Sequence, residues 1–150
     1  MDEMGQTVSS DDRSYLWGDG LFETVKVRAD GSVRWLDRHI ERLRRSGAAL
    51  GFDEARIDEA AELLAAVTER QPGLWRITVS RAPEAAPFGG EGSIRLRRRD
   101  STEATRPRLG FAHGFYLPDD PLAEHKTTSF IRYVEARRRV ERRGFDEAIL

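Results

Sequence analysis

LFETVKVRADGSVRWLDRHIERL, residues 21–43, is the stretch on which the fold turns. Its opening alternates. Leu21, Glu23, Val25 and Val27 fall on one face, and Phe22, Thr24 and Lys26 on the other, which is the period of a half-buried strand. ADGS follows and contains Asp30-Gly31, a tight-turn pair. SVRWL is therefore expected to return as the second strand of a hairpin. Asp37 is read as the N-cap of a helix over residues 38–50. Ile40, Leu43, Gly47 and Leu50 form its buried stripe, and Gly51 is its C-terminal stop.

On the N-terminal side, DDRSYLWGDG (11–20) reads as a loop ending in a tight turn at Gly18-Asp19-Gly20. On the C-terminal side, Asp53 opens a second helix whose buried stripe is Ile57, Ala60, Ala61, Leu64 and Val67, and Gln71-Pro72-Gly73 ends it. Strands are expected over 74–81, 93–99 and 108–115, joined by the Pro/Gly-rich loop 82–92 and the connection 102–107. YLPDDPLAEH carries two prolines, and an interdomain linker is placed at 117–122. Ser129 is read as the cap of a helix running to Arg143, with Phe130, Tyr133, Val134 and Val140 buried and Gly144 as its stop. DEAIL (146–150) opens a strand with no partner after it. The expected fold class is α+β: a small N-terminal domain of hairpin, helices and sheet over 1–116, the linker, and the beginning of a larger second domain over 123–150 that is cut short.

Composition narrows the class. With 25 basic and 26 acidic residues, no global field recruits nucleic acid or an anionic membrane. The absence of cysteine excludes disulfides and thiolate metal sites. The start, MDEMGQTVSSDD, is too polar for a signal peptide, and no apolar run approaches the roughly 20 residues of a membrane span. A soluble, cytoplasmic protein with no nucleic-acid or membrane partner is expected. At 34% charged residues its core is expected to be thin or completed by a partner.

The chemistry begins with a bias. Of 25 basic residues only Lys26 and Lys126 are lysines. An amine can lose its proton on burial or beside another cation, whereas a guanidinium stays protonated. A chain that uses arginine elsewhere and keeps lysine at 126 either needs a nucleophilic amine there or simply carries a solvated lysine at a helix start. Lys26 reads as a strand-edge lysine, and His125 beside Lys126 reads as incidental. His39 and Arg42 share one helix face and could hold a phosphate, or could be solvated. Asp11, Asp12, Asp19 and Glu23 do not match a calcium loop, and no metal is assigned. Arg97-Arg98-Arg99 and Arg137-Arg138-Arg139 read as solvated faces.

Four blocks in register then carry a resemblance: DRSYLWGDGLFETVKV, LDRHIERLRRSGAALGF, RITVSR and HKTTSFIRYVEARRRVERRGFDEAIL. In this order the sequence resembles the class IV pyridoxal-phosphate aminotransferases. That group includes branched-chain and D-amino-acid aminotransferases and aminodeoxychorismate lyase. The resemblance implies pyridoxal 5′-phosphate as cofactor. It implies Lys126 as the lysine bonded to the cofactor as a Schiff base, which also shuttles the substrate proton. Arg42 in HIERL would bind the cofactor phosphate, and Phe22 would line the substrate pocket. Amino-acid and 2-oxo-acid substrates and a homodimer of the complete enzyme are implied as well.

The same resemblance leaves alternatives. A lyase releasing 4-aminobenzoate and pyruvate shares these blocks, and an inactive, partner-binding remnant is a third reading. The glutamate that pairs with the pyridine nitrogen in the family follows the DEAIL-like strand and lies outside these residues. After the lysine stands Thr-Thr-Ser-Phe-Ile, where many members place tyrosine or asparagine. SRAPEAAPFGG offers Arg81 as a candidate trap for a substrate carboxylate.

Overall fold

The computed structural model describes residues 7–82, 89–100, 106–115 and 119–150. The N-terminal hexapeptide, most of the 82–92 loop, most of the 102–107 connection and part of the 117–122 linker lie outside them. The element order is α1 (Arg13–Leu16), β1 (Gly20–Val27), α2 (Leu36–Ala49), α3 (Glu54–Ala65) with a 3₁₀ turn (Ala66–Glu69), β2 (Gly73–Ser80), β3 (Ile94–Arg99), β4 (Leu109–Phe111), α4 (Ile131–Glu141) and β5 (Glu147–Ile149). The class is α+β.

The expected N-terminal hairpin is not formed. Asp30-Gly31 does make the turn: Gly31 has φ 79°, and Arg28 N donates to Ser32 O at 3.0 Å. The return is a single bridge, Val27 to Val33. Trp35 then adopts a left-handed φ of 56° and starts α2 at once. The returning segment is too short to pair, and β2 instead runs antiparallel along all eight residues of β1, from Gly20–Ser80 to Val27–Gly73. Trp35, not Asp37, occupies the cap position of α2. Asp37 lies in the first turn, where its charge suits the positive end of the helix.

The three-stranded sheet has the order β1-β2-β3. Its inner face presents Leu21, Val25, Val27, Trp75, Ile77 and Val79, all buried against α2 and α3. The α3 stripe is as expected: Ile57, Ala60, Ala61, Leu64 and Val67 are buried, and Asp53 caps the helix by accepting from Arg56 N. Gly47 lets the helices meet, since a Cβ there would lie 2.6 Å from Ile57 Cγ1.

The C-terminal segment differs from expectation. The strand expected over 108–115 is confined to Leu109–Phe111, and β5 is not alone: it pairs with β4 in parallel, Leu109 opposite Glu147. Phe145 packs so close to β4 that a Cβ on Gly110 would meet its ring at 2.7 Å. The helix begins at Ile131, with Phe130 as cap and no side-chain bond from Ser129. It seats Ala136 and Val140 on this pair of strands. Phe130 and Val134 are exposed, not buried, because the face of α4 that meets β4 and β5 is centred half a turn away from them.

Candidate active site

β1 has a second neighbour. On the side opposite β2, Thr127 bridges to Leu21, Phe22 N donates to Lys126 O at 2.9 Å, and Thr128 N donates to Gly20 O at 2.8 Å. Residues 126–128 thus add a short strand-like edge to β1. The glycines of Gly18-Asp19-Gly20 admit it. A Cβ on Gly20 would lie 2.9 Å from Thr128 Oγ1 and from Val79 O, and one on Gly18, which has φ 66°, would lie 3.0 Å from Ser129 Cα.

A buried carboxylate, Asp12, and a half-buried one, Asp19, tie the same region down. Asp12 accepts from Ser14 Oγ and Ser93 Oγ, each at 2.5 Å, and from Ser80 Oγ at 2.8 Å. These hydroxyls hold its carboxyl below the usual aspartate range against the opposing effect of burial, the largest single influence. Asp19 takes Arg13 at 2.8 Å and Arg81 at 3.0 Å. Arg81 also donates to Gly51 O at 2.8 Å, so the candidate carboxylate trap is engaged in holding loops together. Of the acidic residues considered for a cation, Asp12, Asp19 and Glu23 serve separate hydroxyls, guanidinium groups and an imidazole, and no metal-binding group of three or more His, Cys, Asp or Glu exists among the described residues.

Glu23 is the residue that sequence reasoning missed. It is buried on the inner face of β1. Arg42 from α2 donates to it twice, Nε to Oε1 at 2.6 Å and Nη2 to Oε2 at 2.7 Å. His39, one turn earlier, places Nδ1 2.9 Å from Oε2. The hydrogen bond to Glu23 raises the Arg42 pKa further above its ordinary value. The signal was in the sequence: an acid among Leu21, Val25 and Val27 on a core face demands a buried cation.

Lys126 faces this group. Burial is the main cause that lowers its pKa below the ordinary lysine value; the Glu23 charge opposes this, and Arg42 and Arg76 add to it. Its Nζ lies 4.4 Å from the centroid of the Phe22 ring, which also meets Phe130 edge to face at 5.7 Å. Lys126 and Arg42 line one open cavity of about 560 Å³ together with His125, Phe130, Arg132 and Tyr133. Phe22 is buried behind Lys126 and Phe130 and does not itself line the cavity. Phe130 and Tyr133 stack at 4.6 Å and form its apolar wall. His125 Nδ1 lies 3.1 Å from Ser46 Oγ, which ties the lysine segment to α2. Lys26 is exposed on β1, away from this group.

The family model described as amino-transferase class IV matches residues 20–150. The chain belongs to the class IV aminotransferases. It is 32% identical over 88 residues to a D-alanine aminotransferase from Bacillus licheniformis, a match covering 55% of this chain and 31% of that protein. Among solved structures, the 4-amino-4-deoxychorismate lyase from Pseudomonas aeruginosa is 29% identical with a TM-score of 0.68, covering 89% of this chain and 53% of that one. A hypothetical aminotransferase from Mycobacterium tuberculosis in a PLP-bound form has the same fold, with 21% identity, a TM-score of 0.70 and coverage of 99% and 58%. This class IV aminotransferase chain therefore spans about half the length of the solved structures it matches. Among the described residues no helix is long and apolar enough to cross a membrane.

Proposed function

We propose that this class IV aminotransferase chain carries the cofactor-bonding lysine of a pyridoxal 5′-phosphate enzyme that moves an amino group from an amino acid to a 2-oxo acid. The observation that carries the reading is the Lys126 amine, held to β1 by backbone hydrogen bonds, made less basic by burial, and opening into the same cavity as Arg42. The donor set fits the cofactor. An amine freed of its proton bonds an aldehyde, and a guanidinium offers a fork of donors to phosphate oxygens. Arg42 spends Nε and Nη2 on Glu23, which leaves Nη1 for the phosphate.

When bound, the cofactor supplies the electron sink. The chain's own residues do the rest. Lys126 Nζ accepts a substrate proton and returns it. Glu23 and His39 hold Arg42 in one orientation. Phe22 backs the amine, and Phe130 and Tyr133 keep water from one side of it. The complete enzyme is proposed to act as a homodimer in the cytoplasm, with residues 1–116 as its small domain, 117–122 as linker and 123–150 as the start of its large domain.

A second reading is favoured by the 29% identity to the P. aeruginosa lyase: elimination of pyruvate from aminodeoxychorismate on the same lysine. Incubation of the full-length polypeptide with pyridoxal phosphate is expected to give an absorbance band that borohydride converts to a stable adduct on Lys126. Absence of that adduct rejects both readings. Pyruvate release without a 2-oxo-acid acceptor selects the lyase, and acceptor-dependent turnover selects the aminotransferase. Residues 1–150 alone are expected to turn over little or no substrate in the same assays.

A further inference from the structure

α2 meets the lysine segment at a second point. Arg42 and Ser46 stand one turn apart on the same side of this helix. Arg42 reaches Glu23 and the cavity. Ser46 reaches His125, 79 positions away, with Oγ 3.1 Å from Nδ1. The hydroxyl serves either tautomer, accepting from a protonated Nδ1 and donating to a bare one. Serine is an odd choice there on local grounds. Ser46 is 1% exposed, and alanine, which follows at 48 and 49, is the better helix former. A hydroxyl taken out of water is costly unless it is bonded. Its partner lies on the residue next to Lys126, so this polar atom joins two elements.

Both sides of the join are held. Leu43 seats α2 on the core, and Gly47 sets it so close to Ile57 that a Cβ would lie 2.6 Å from Cγ1. That contact resists sliding of the helix. On the other side, His125 N donates to Leu122 O at 3.0 Å, and Phe22 N donates to Lys126 O at 2.9 Å. The His125–Lys126 peptide is therefore tied to its own turn and to β1 by backbone, and to α2 by the imidazole. His125 lines the same cavity as Arg42 and Lys126.

We propose that Ser46 and His125 are positioning residues that set the spacing between the Lys126 amine and the Arg42 guanidinium. The inference rests on the proposed roles of Lys126 and Arg42. A rigid cofactor gripped at an aldehyde and at a phosphate must meet both groups at once, and a displacement of about 1 Å can cost about a hundredfold. α2 carries one grip itself. The Ser46–His125 bond, one turn further along, ties the segment that carries the other.

The test treats the full-length polypeptide with limiting pyridoxal phosphate and, separately, with pyridoxal, which lacks the phosphate. The borohydride-fixed adduct on Lys126 is measured for each. The ratio of the two yields reports how well the amine and Arg42 act together, and the parent should favour the phosphate ester. Ser46→Ala and His125→Leu should each lower the ratio about two- to tenfold, the effect of one lost hydrogen bond. The double variant should fall little further, because both changes remove the same contact. His125→Asn, whose side-chain amide can stand in for Nδ1, should restore most of the ratio. Leu64→Ala loosens the core without touching this contact and should leave the ratio unchanged, which separates positioning from general loss of stability. An unchanged ratio in either Ser46→Ala or His125→Leu overturns the proposal and leaves the role of Lys126 standing. If the parent forms no adduct, that role fails, and labelling with trinitrobenzenesulfonate in the absence of cofactor tests the contact by itself. Ser46→Ala should then label Lys126 faster while the exposed Lys26 keeps the parent rate. Equal rates at Lys126 overturn the proposal.

Discussion

Arg42 grips Glu23 along both edges, with Nε 2.6 Å from Oε1 and Nη2 2.7 Å from Oε2. The carboxylate is 1% exposed and the guanidinium 37%. The pair joins the core face of β1 to the cavity, so a buried acid orients a cation that opens toward Lys126.

Removing the acid's charge tests that link. Glu23→Gln keeps the shape but cannot pair as a carboxylate with Arg42 and His39. It should destabilise the fold by about 1.5–3 kcal/mol, the worth of hydrogen bonds to a charged group, read by urea unfolding. It should also make Lys126 less basic still, because the Glu23 charge opposes the lowering of its pKa. The pH profile of amine labelling at Lys126 reads this second effect, and a midpoint that moves upward contradicts it.

The amine itself has a pH signature. Its folded pKa lies below its ordinary value because burial disfavours the ammonium. Between the folded value and the unfolded value near 10.4, the unfolded chain holds the proton more often than the folded one, so stability rises with pH through that window. Below it the full penalty applies. Lys126→Met should therefore raise the Tm at pH 7, with a difference that narrows as the pH approaches about 10.4. A difference independent of pH shows that the amine is not desolvated.

Chemistry at position 126 requires an amine that can lose its proton. Lys126→Arg keeps the charge but should abolish the borohydride-trapped adduct as fully as Lys126→Ala does. Residual adduct mapped by mass spectrometry to any other residue displaces Lys126 from its role.

Close approach at Gly20 holds the lysine segment against β1. Gly20→Ala would press a methyl to 2.9 Å from Ser14 Cβ, Thr128 Oγ1 and Val79 O. A loss of about 1–3 kcal/mol is expected from overpacking, with faster amine labelling of Lys126 as its segment lifts off. Gly89→Ala, where nothing lies within 4 Å of the new methyl, serves as the control and should change neither reading.

Core substitution measures the scaffold. Leu64 is fully buried between α3 and the sheet, and Leu64→Ala should cost about 2–5 kcal/mol without changing the chemistry of the folded fraction. A cost below this range places the α3 stripe outside the cooperative core.

Much of this molecule was legible from local pattern. The alternation of β1, the α3 stripe with its Asp53 cap, the strand near 74–81 and the exceptional lysine at 126 all follow from side-chain periodicity and residue chemistry, which act within a few residues of one another. Three features were not legible. The hairpin failed because Trp35 takes a left-handed conformation and β2 competes for β1 from nearly 50 positions away. On α4, Val140 is buried as its place in the stripe predicts, whereas Phe130 and Val134 are exposed, because the face that meets β4 and β5 is centred on Ala136 and Val140. The run Arg97-Arg98-Arg99 read as one solvated patch, and only strand geometry divides it, sending Arg98 to one face and its neighbours to the other beside Arg76.

The sequence by itself determined that an acid must lie on the core face of β1, that one lysine is set apart from 23 arginines, and that the family's blocks occur in order. Tertiary structure alone decided that residues 126–128 lie along β1, that Arg42 reaches Glu23, and that Arg42 and Lys126 line one cavity. The reason is physical. Periodicity reports which side of an element is buried, but only chain packing determines which distant charge meets it there, and that meeting sets both the cost of the buried acid and the basicity of the amine.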